Sequence, residues 1–120
     1  DWLYRIGAWL KNGMVVAGSS DSPIVPDNPL IGIYAAVARQ TQSGQPLLPK
    51  QRISASQALA MYTINGAYAS FEEGIKGSIT PGKLADLLLL SDDPTKVPAE
   101  QIKDIKVEVT IIGGKIVWES

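Results

Sequence analysis

The stretch MVVAGSSDSP, residues Met14 to Pro23, decides how this chain is read. Four apolar residues, Met14 to Ala17, run into Gly18, and two serines, Asp21 and a Ser-Pro pair follow. A short run that is apolar at every position reads as a strand buried on both faces, as in a parallel sheet. In parallel α/β folds, functional side chains stand just beyond the C-terminal ends of such strands. Asp21 is in that place. A hard carboxylate there can bind a divalent cation or act as a general base. The plainer alternative is that Asp21 and Ser22 shape a turn or a helix cap ahead of Pro23.

The flanking sequence supports an α/β reading. Trp2, Leu3, Ile6, Trp9 and Leu10 recur at spacings of three and four, which predicts an amphipathic helix that Asn12-Gly13 stops. Helix, tight turn and buried strand make the αβ half of an α/β unit. Residues 19 to 32 carry Pro23, Pro26 and Pro29 and predict a long loop, a place where function is often found. A short helix is expected over Ile33 to Thr41, then a second polar connection over Gln42 to Gln51. Ser54 opens the best-marked helix. In SASQ, Ser54 can accept from the Gln57 backbone N–H while Gln57 reaches back, and Ala58, Leu59, Met61 and Tyr62 supply an apolar face. INGAYASF predicts one more short helix around Gly66.

From residue 76 the texture changes. Pro81-Gly82 reads as a turn, Ala85 to Leu90 as a buried strand, and Asp92-Asp93-Pro94 as its end. VPAEQIKDI reads as a one-turn helix or a loop. KVEVTIIGGKIVWES reads as a hairpin, with Val107, Val109 and Ile111 alternating and Gly113-Gly114 at the turn. The organisation expected is an α/β part over residues 1–74 and a β part over 75–120, with no internal repeat and no low-complexity tract.

Composition narrows the function classes. At 120 residues the chain is one domain's worth, and 45% hydrophobic with 19% charged residues is ordinary globular composition. A formal net charge of -1, with no Lys/Arg block, argues against nucleic acid and against an anionic membrane surface as main partners. The absence of cysteine rules out a disulfide framework and a thiolate metal site, and fits a reducing compartment. No apolar run approaches the roughly 18 residues of a membrane span and no signal peptide is visible, so the expected location is cytoplasmic. The chain also has no His, so hydrolytic chemistry must use other residues or sit partly elsewhere. It opens at Asp1 as though already inside a helix, which suggests a piece of a longer protein.

Other candidates for chemistry are weaker than Asp21. Asp92-Asp93-Pro94 pairs two carboxylates, although a strand-ending turn explains them. Arg39 and Arg52 can grip an anionic substrate, with surface or interface ion pairs as the default. Thr63 and Asn65 read as helix-end residues. Gly77-Ser78 and Gly113-Gly114 lack the strand-to-helix context of a phosphate loop. Trp2, Trp9 and Trp118 read as packing residues.

Three segments carry a resemblance: VVAGSSDSPIVPDNPLIGIYAAVAR, RISASQALAMYTINGAYASFEE, and KGSITPGKLADLLLLSDDPTKVPAEQIKDIKVEVTIIGGKIVWES. Together they resemble the C-terminal end of a metal-dependent amidohydrolase, in the amidohydrolase-3 group that includes formamide-deformylase-like enzymes. One departure stands out: the usual Gly-Ser-Asp is here Gly18-Ser19-Ser20-Asp21, with one extra serine. The resemblance implies a (β/α)₈ barrel with one or two metal ions at its C-terminal face, beside a β-sandwich built from both chain ends. Met14 to Ala17 would be the eighth barrel strand, and Asp21 its metal-ligating and acid/base aspartate. Residues 54 to 71 would be the last barrel helices, and residues 77 to 90 and 106 to 120 would return to the sandwich.

The family's other ligands are a His-x-His on the first strand, histidines on the fifth and sixth, and in some branches a carboxylated lysine; this chain has no His. The implied cofactor is therefore a divalent metal, zinc first, in a full-length parent and not held tightly by this piece alone. The implied substrate is a small amide-like molecule hydrolysed at a non-peptide C–N bond. Unpaired apolar sheet edges in such a slice invite self-association as a homo-oligomer. Two rivals stand beside this reading: a non-catalytic α/β module that reuses the family's tail for binding or assembly, and a deaminase or cyclic-amide hydrolase of the same superfamily.

Overall fold

The computed structural model describes residues 3–120. Its first element, α1 (Ile6–Lys11), ends where Asn12 and Gly13 turn the chain, with Gly13 at φ +75°. It starts later than the sequence periodicity suggests, and Trp2 lies outside the described residues.

The second helix, α2 (Pro29–Ala38), begins four residues before the expected Ile33. The signal was local: Asn28 caps the helix by accepting from the Leu30 N–H at 3.0 Å, and Pro29 occupies the first helical turn, where its missing N–H costs nothing. A 3₁₀ turn, Pro49–Gln51, leads to α3 (Ala55–Met61). The Ser54–Gln57 capping box forms as read, with Gln57 N–H to Ser54 Oγ at 3.1 Å and Ser54 N–H to Gln57 Oε1 at 2.9 Å. The short helix α4 (Ile64–Ala69) follows.

The rest of the chain is a three-stranded antiparallel sheet in the order β1-β2-β3, formed by β1 (Leu87–Leu90), β2 (Val107–Ile112) and β3 (Lys115–Glu119). Between β1 and β2 lies a 3₁₀ helix, Ala99–Asp104. Leu88 pairs with Thr110 and Thr110 with Trp118, so β2 is the central strand. Gly113 at φ +57° and Gly114 at φ +79° supply the left-handed backbone that the hairpin requires, and Asp86 Oδ1 accepts from the Gly113 N–H at 2.8 Å.

Two expected strands need correction. Ala85 to Leu90 is shorter as a strand and is not buried: Leu88 and Leu89, which point to opposite faces of the sheet, are each more than half exposed. Met14 to Ala17 forms no strand. No regular element lies between Lys11 and Pro29, and Val15 is 52% exposed. Strand formation needs a ladder partner for the backbone polar groups, and no described segment pairs with this one. Helices take over some of that bonding instead: Met14 N–H reaches Trp9 O at 3.1 Å, and Gly18 N–H reaches Met61 O at 2.9 Å.

The core lies where α2, α3 and the 3₁₀ helix meet. Ile33 (2% exposed), Ala58, Met61 and Ile102 (1% exposed) form one buried cluster with Leu30, Ala36, Ile53 and Ile105. Leu90 and Val107 pack against it, which ties the sheet to the helices. Burying an isoleucine side chain of this kind stabilises by about 1.5–3 kcal/mol. Among the described residues, no helix is long and apolar enough to cross a membrane.

Candidate functional site

Asp21 sits in a run of tight turns directly after the apolar segment. Its own φ is +54°, a left-handed conformation that aspartate adopts more readily than most residues. The Asp21 N–H donates to Ser19 Oγ and the Ser22 N–H to Ser20 Oγ, both at 3.2 Å. The Asp21 carbonyl accepts from the Ile24 N–H at 2.9 Å, and the Ser22–Pro23 peptide is cis. Asp21 therefore does shape a turn, but it does so through its backbone. Its side chain is exposed, and among the described residues no hydrogen bond or ion pair engages the carboxylate.

Beside this turn lies a cleft of about 490 Å³. Ser19 and Ser20 line one part of it; Trp9, Val25, Ile31 and Tyr62 contribute apolar wall. The chain ahead of Asp21 is fastened to the junction of α3 and α4. Besides the Gly18–Met61 bond, Asn65 Nδ2 donates to Val16 O at 2.9 Å, across 49 positions of sequence. Read as a helix-end residue, Asn65 turns out to be a brace for the segment that carries Asp21. Its spacing gave no hint, because its partner is a distant backbone carbonyl. Tyr62, half-buried against the same segment, has its hydroxyl pKa raised by desolvation.

Among the described residues, the two arginines donate to backbone carbonyls. Arg39 is 5% exposed and caps the end of α2 in a left-handed conformation, with Nε donating to Leu47 O at 3.1 Å and Nη2 to Leu3 O at 3.3 Å. Burial lowers its pKa. Arg52 Nε donates to Ala38 O at 3.0 Å. Neither forms an ion pair with a described carboxylate, so the default of a surface ion pair does not hold for either.

The remaining candidates fall into structural places. Asp93 Oδ1 accepts from Thr95 Oγ1 at 2.6 Å and from the Thr95 N–H at 2.8 Å, which makes the Asp92-Asp93-Pro94 segment the expected turn. Thr63 donates its hydroxyl to Leu59 O at 2.9 Å, at a helix end. Gly77, at φ +90°, lies so close to α4 that a Cβ would stand 2.8 Å from Ala67 Cβ. Trp9 joins the cleft wall, and Trp118 is half-exposed on β3. Lys83 went unnoticed in the sequence: its ammonium donates to Glu73 O at 2.5 Å and Ser78 Oγ at 2.7 Å, closing the loop before β1.

The donor set sets a limit on metal binding. Among the described residues, no three His, Cys, Asp or Glu side chains come together around one point. Zinc takes about four ligands, mostly nitrogen or sulfur. Asp21 offers one unengaged carboxylate, which fits one ligand of a shared site and not a complete one.

Comparison with known proteins identifies the family. A family model described as "Amidohydrolase family" matches residues 1–118. An N-substituted formamide deformylase from Arthrobacter pascens is 37% identical over 117 residues, covering 98% of this chain and 22% of that protein. YtcJ of Bacillus subtilis, named as an amidohydrolase, is 34% identical over 118 residues, covering 93% of this chain and 22% of that protein. A solved amidohydrolase structure from Thermotoga maritima superimposes with a TM-score of 0.74 at 26% identity, covering 96% of this chain and 26% of that one. The chain thus spans about a fifth of the length of the curated relatives it matches. With a match running almost end to end in sequence and in fold, the chain belongs to the amidohydrolase family.

Proposed function

We propose that this chain is the C-terminal part of a metal-dependent hydrolase acting on non-peptide C–N bonds, with amides or formamides as substrates. In this reading, residues 1–74 complete a (β/α)₈ barrel, with Met14 to Ala17 as its eighth strand, and residues 75–120 belong to a composite β-sandwich. Asp21 serves as one metal ligand and as the acid/base. One observation carries the reading: an exposed carboxylate, without a partner among the described residues, follows two cleft-lining serines.

Asp21 would hold a divalent cation together with ligands from elsewhere in the whole protein, and that cation would supply Lewis acidity at the scissile carbonyl and lower the pKa of water toward roughly 7. Asp21 accepts a proton at a carboxylate oxygen from the attacking water as the new C–O bond forms. It then delivers that proton to the leaving nitrogen as the C–N bond breaks. The apolar wall of Trp9, Val25 and Ile31 takes up the substrate's substituent. The donors among the described residues do not complete a metal site, and in this reading the piece alone is not a competent hydrolase.

The test uses the whole protein that contains this chain, with an N-substituted formamide as substrate. Asp21→Asn keeps the size of the side chain and removes its proton-accepting charge. The expected loss in kcat/KM is about a thousandfold, with reduced metal content by elemental analysis. Activity within threefold of the parent enzyme, at unchanged metal content, would remove Asp21 from both roles. A folded, metal-free protein without turnover of any amide or exocyclic amine would favour the binding or assembly module instead.

A further inference from the structure

We propose that Tyr62 is a positioning residue for Asp21: its ring, wedged between Gly18 and Gly32, fixes where the turn at residues 19–21 stands. The inference rests on the reading of Asp21 as metal ligand and acid/base. It starts from two glycines whose presence backbone freedom does not explain. Neither Gly18 nor Gly32 has a positive φ. Space explains them. A Cβ on Gly18 would stand 2.5 Å from Tyr62 Cε2 and 2.6 Å from Cζ. One on Gly32 would overlap Tyr62 Oη and stand 2.8 Å from Cζ. Carbon atoms in packed proteins meet at about 3.5–4.0 Å, so neither position has room for a methyl group.

The placement of these contacts gives them meaning. Gly18 opens the segment that carries Asp21, and Gly32 lies in α2, where that segment ends. One aromatic ring therefore touches both ends of a loop otherwise held mainly by local serine turns. The ring is itself anchored. Tyr62 closes α3, whose start the capping box fixes, and its neighbours Met61 and Asn65 bond Gly18 N–H and Val16 O. A tyrosine phenol, with an ordinary pKa of about 10, is neutral at pH 7, and desolvation raises that of Tyr62 further, so the wedge acts by shape and carries no charge. A ligand that is also an acid/base tolerates little displacement: a misplacement on the order of 1 Å can cost about a hundredfold in rate.

The test compares Gly32→Ala, Tyr62→Phe, their combination and Tyr62→Leu in the whole protein. Steady-state kinetics, zinc affinity by chelator competition and thermal midpoint are measured for each. Gly32→Ala is expected to lower kcat by about a hundredfold and zinc affinity by about tenfold, with little change in KM. Adding Tyr62→Phe to Gly32→Ala is expected to recover part of both losses, because the hydroxyl oxygen is the nearest atom to the new methyl group. Tyr62→Leu, which leaves both glycines in place, covers the case in which Gly32→Ala does not fold, and it should lose kcat and zinc affinity together. Wild-type kcat and zinc affinity in Gly32→Ala or in Tyr62→Leu overturn the proposal. So does a loss that follows thermal midpoint alone and that Tyr62→Phe does not relieve. Full activity of Asp21→Asn would instead sink the underlying reading of Asp21, and the mutual rescue of Gly32 and Tyr62 in thermal midpoint would still be measurable.

Discussion

Met14–Ala17 and Leu87–Leu90 are both four-residue apolar runs, MVVA and LLLL; the first reads as a buried strand, and so does Ala85 to Leu90, which contains the second. They meet different ends. Leu87–Leu90 finds an antiparallel partner in Val107–Ile112, with Leu89 opposite Val109, and Leu90 packs on the helical core. Met14–Ala17 finds no partner strand among the described residues, and helices take part of its backbone bonding. An apolar run announces that a segment must be covered; it does not say by what. The partner of Leu87–Leu90 lies a short way downstream and is joined to it by a local 3₁₀ helix. No described segment, near or far in sequence, pairs with Met14–Ala17. For the proposed eighth strand of a barrel, parallel neighbours would come through long crossovers.

The largest effect expected from this contrast is at Ile102. Its side chain, 1% exposed, comes from the 3₁₀ helix between β1 and β2 and enters the cluster around Ile33. Ile102→Ala should destabilise by about 2–5 kcal/mol in urea denaturation. A loss below about 1 kcal/mol would mean that the sheet is not anchored to the helices through this residue, and the contrast between the two runs would lose its physical basis.

Ser54→Ala comes next. Removing the capping hydroxyl should cost about 1 kcal/mol, read by the same denaturation. The change touches neither apolar run, so it calibrates how much stability a purely local signal contributes. Gln57→Ala should remove the reciprocal bond and cost a similar amount. No loss in either variant would show that α3 is held by packing alone.

Such local signals were the legible part of this molecule. The capping box at Ser54, the hairpin at Gly113-Gly114 and the turn at Asp93 each satisfy backbone groups within a few residues, so spacing suffices to find them. The early start of α2 was also local, in Asn28-Pro29, but three prolines in one stretch pulled the reading toward a loop. Asp21 stood out because an apolar run ends just ahead of it. Its fastening did not stand out. Asn65 to Val16 O spans 49 positions, and the slot that Gly18 and Gly32 leave for Tyr62 exists only once three separate segments meet. The sequence carries the residues of such a contact without marking their partners.

A smaller effect tests the turn that ends β1. Asp93 has its pKa lowered to about 2 by the Thr95 hydroxyl, then the Thr95 N–H and Lys96. A carboxylate with a depressed folded pKa contributes stability that is complete above its unfolded value, about 3.9, and is lost as pH falls toward the folded one. The turn is therefore expected to weaken between about pH 4 and pH 2, and not at neutral pH. The carboxyl carbon of Asp93, followed by NMR, should titrate at about 2, and Thr95→Ala should move it up toward the ordinary range. A midpoint already ordinary in the unsubstituted protein would show that the turn bonds do not persist in solution.

The smallest effect, at Val15, separates the two runs most directly. Val15 is 52% exposed and pairs with nothing described, so in this chain Val15→Thr should change stability by no more than about 0.5 kcal/mol. In the whole protein the proposed eighth strand would be buried on both faces, and the same substitution would place a hydroxyl in an apolar sheet. There the cost should rise to about 1–3 kcal/mol. The informative quantity is the difference between the two contexts. Equal small costs would mean that Met14–Ala17 stays uncovered in the whole protein, and the barrel reading would fail at its central strand. A clear rise would show that this run, unlike Leu87–Leu90, still waits for its partner.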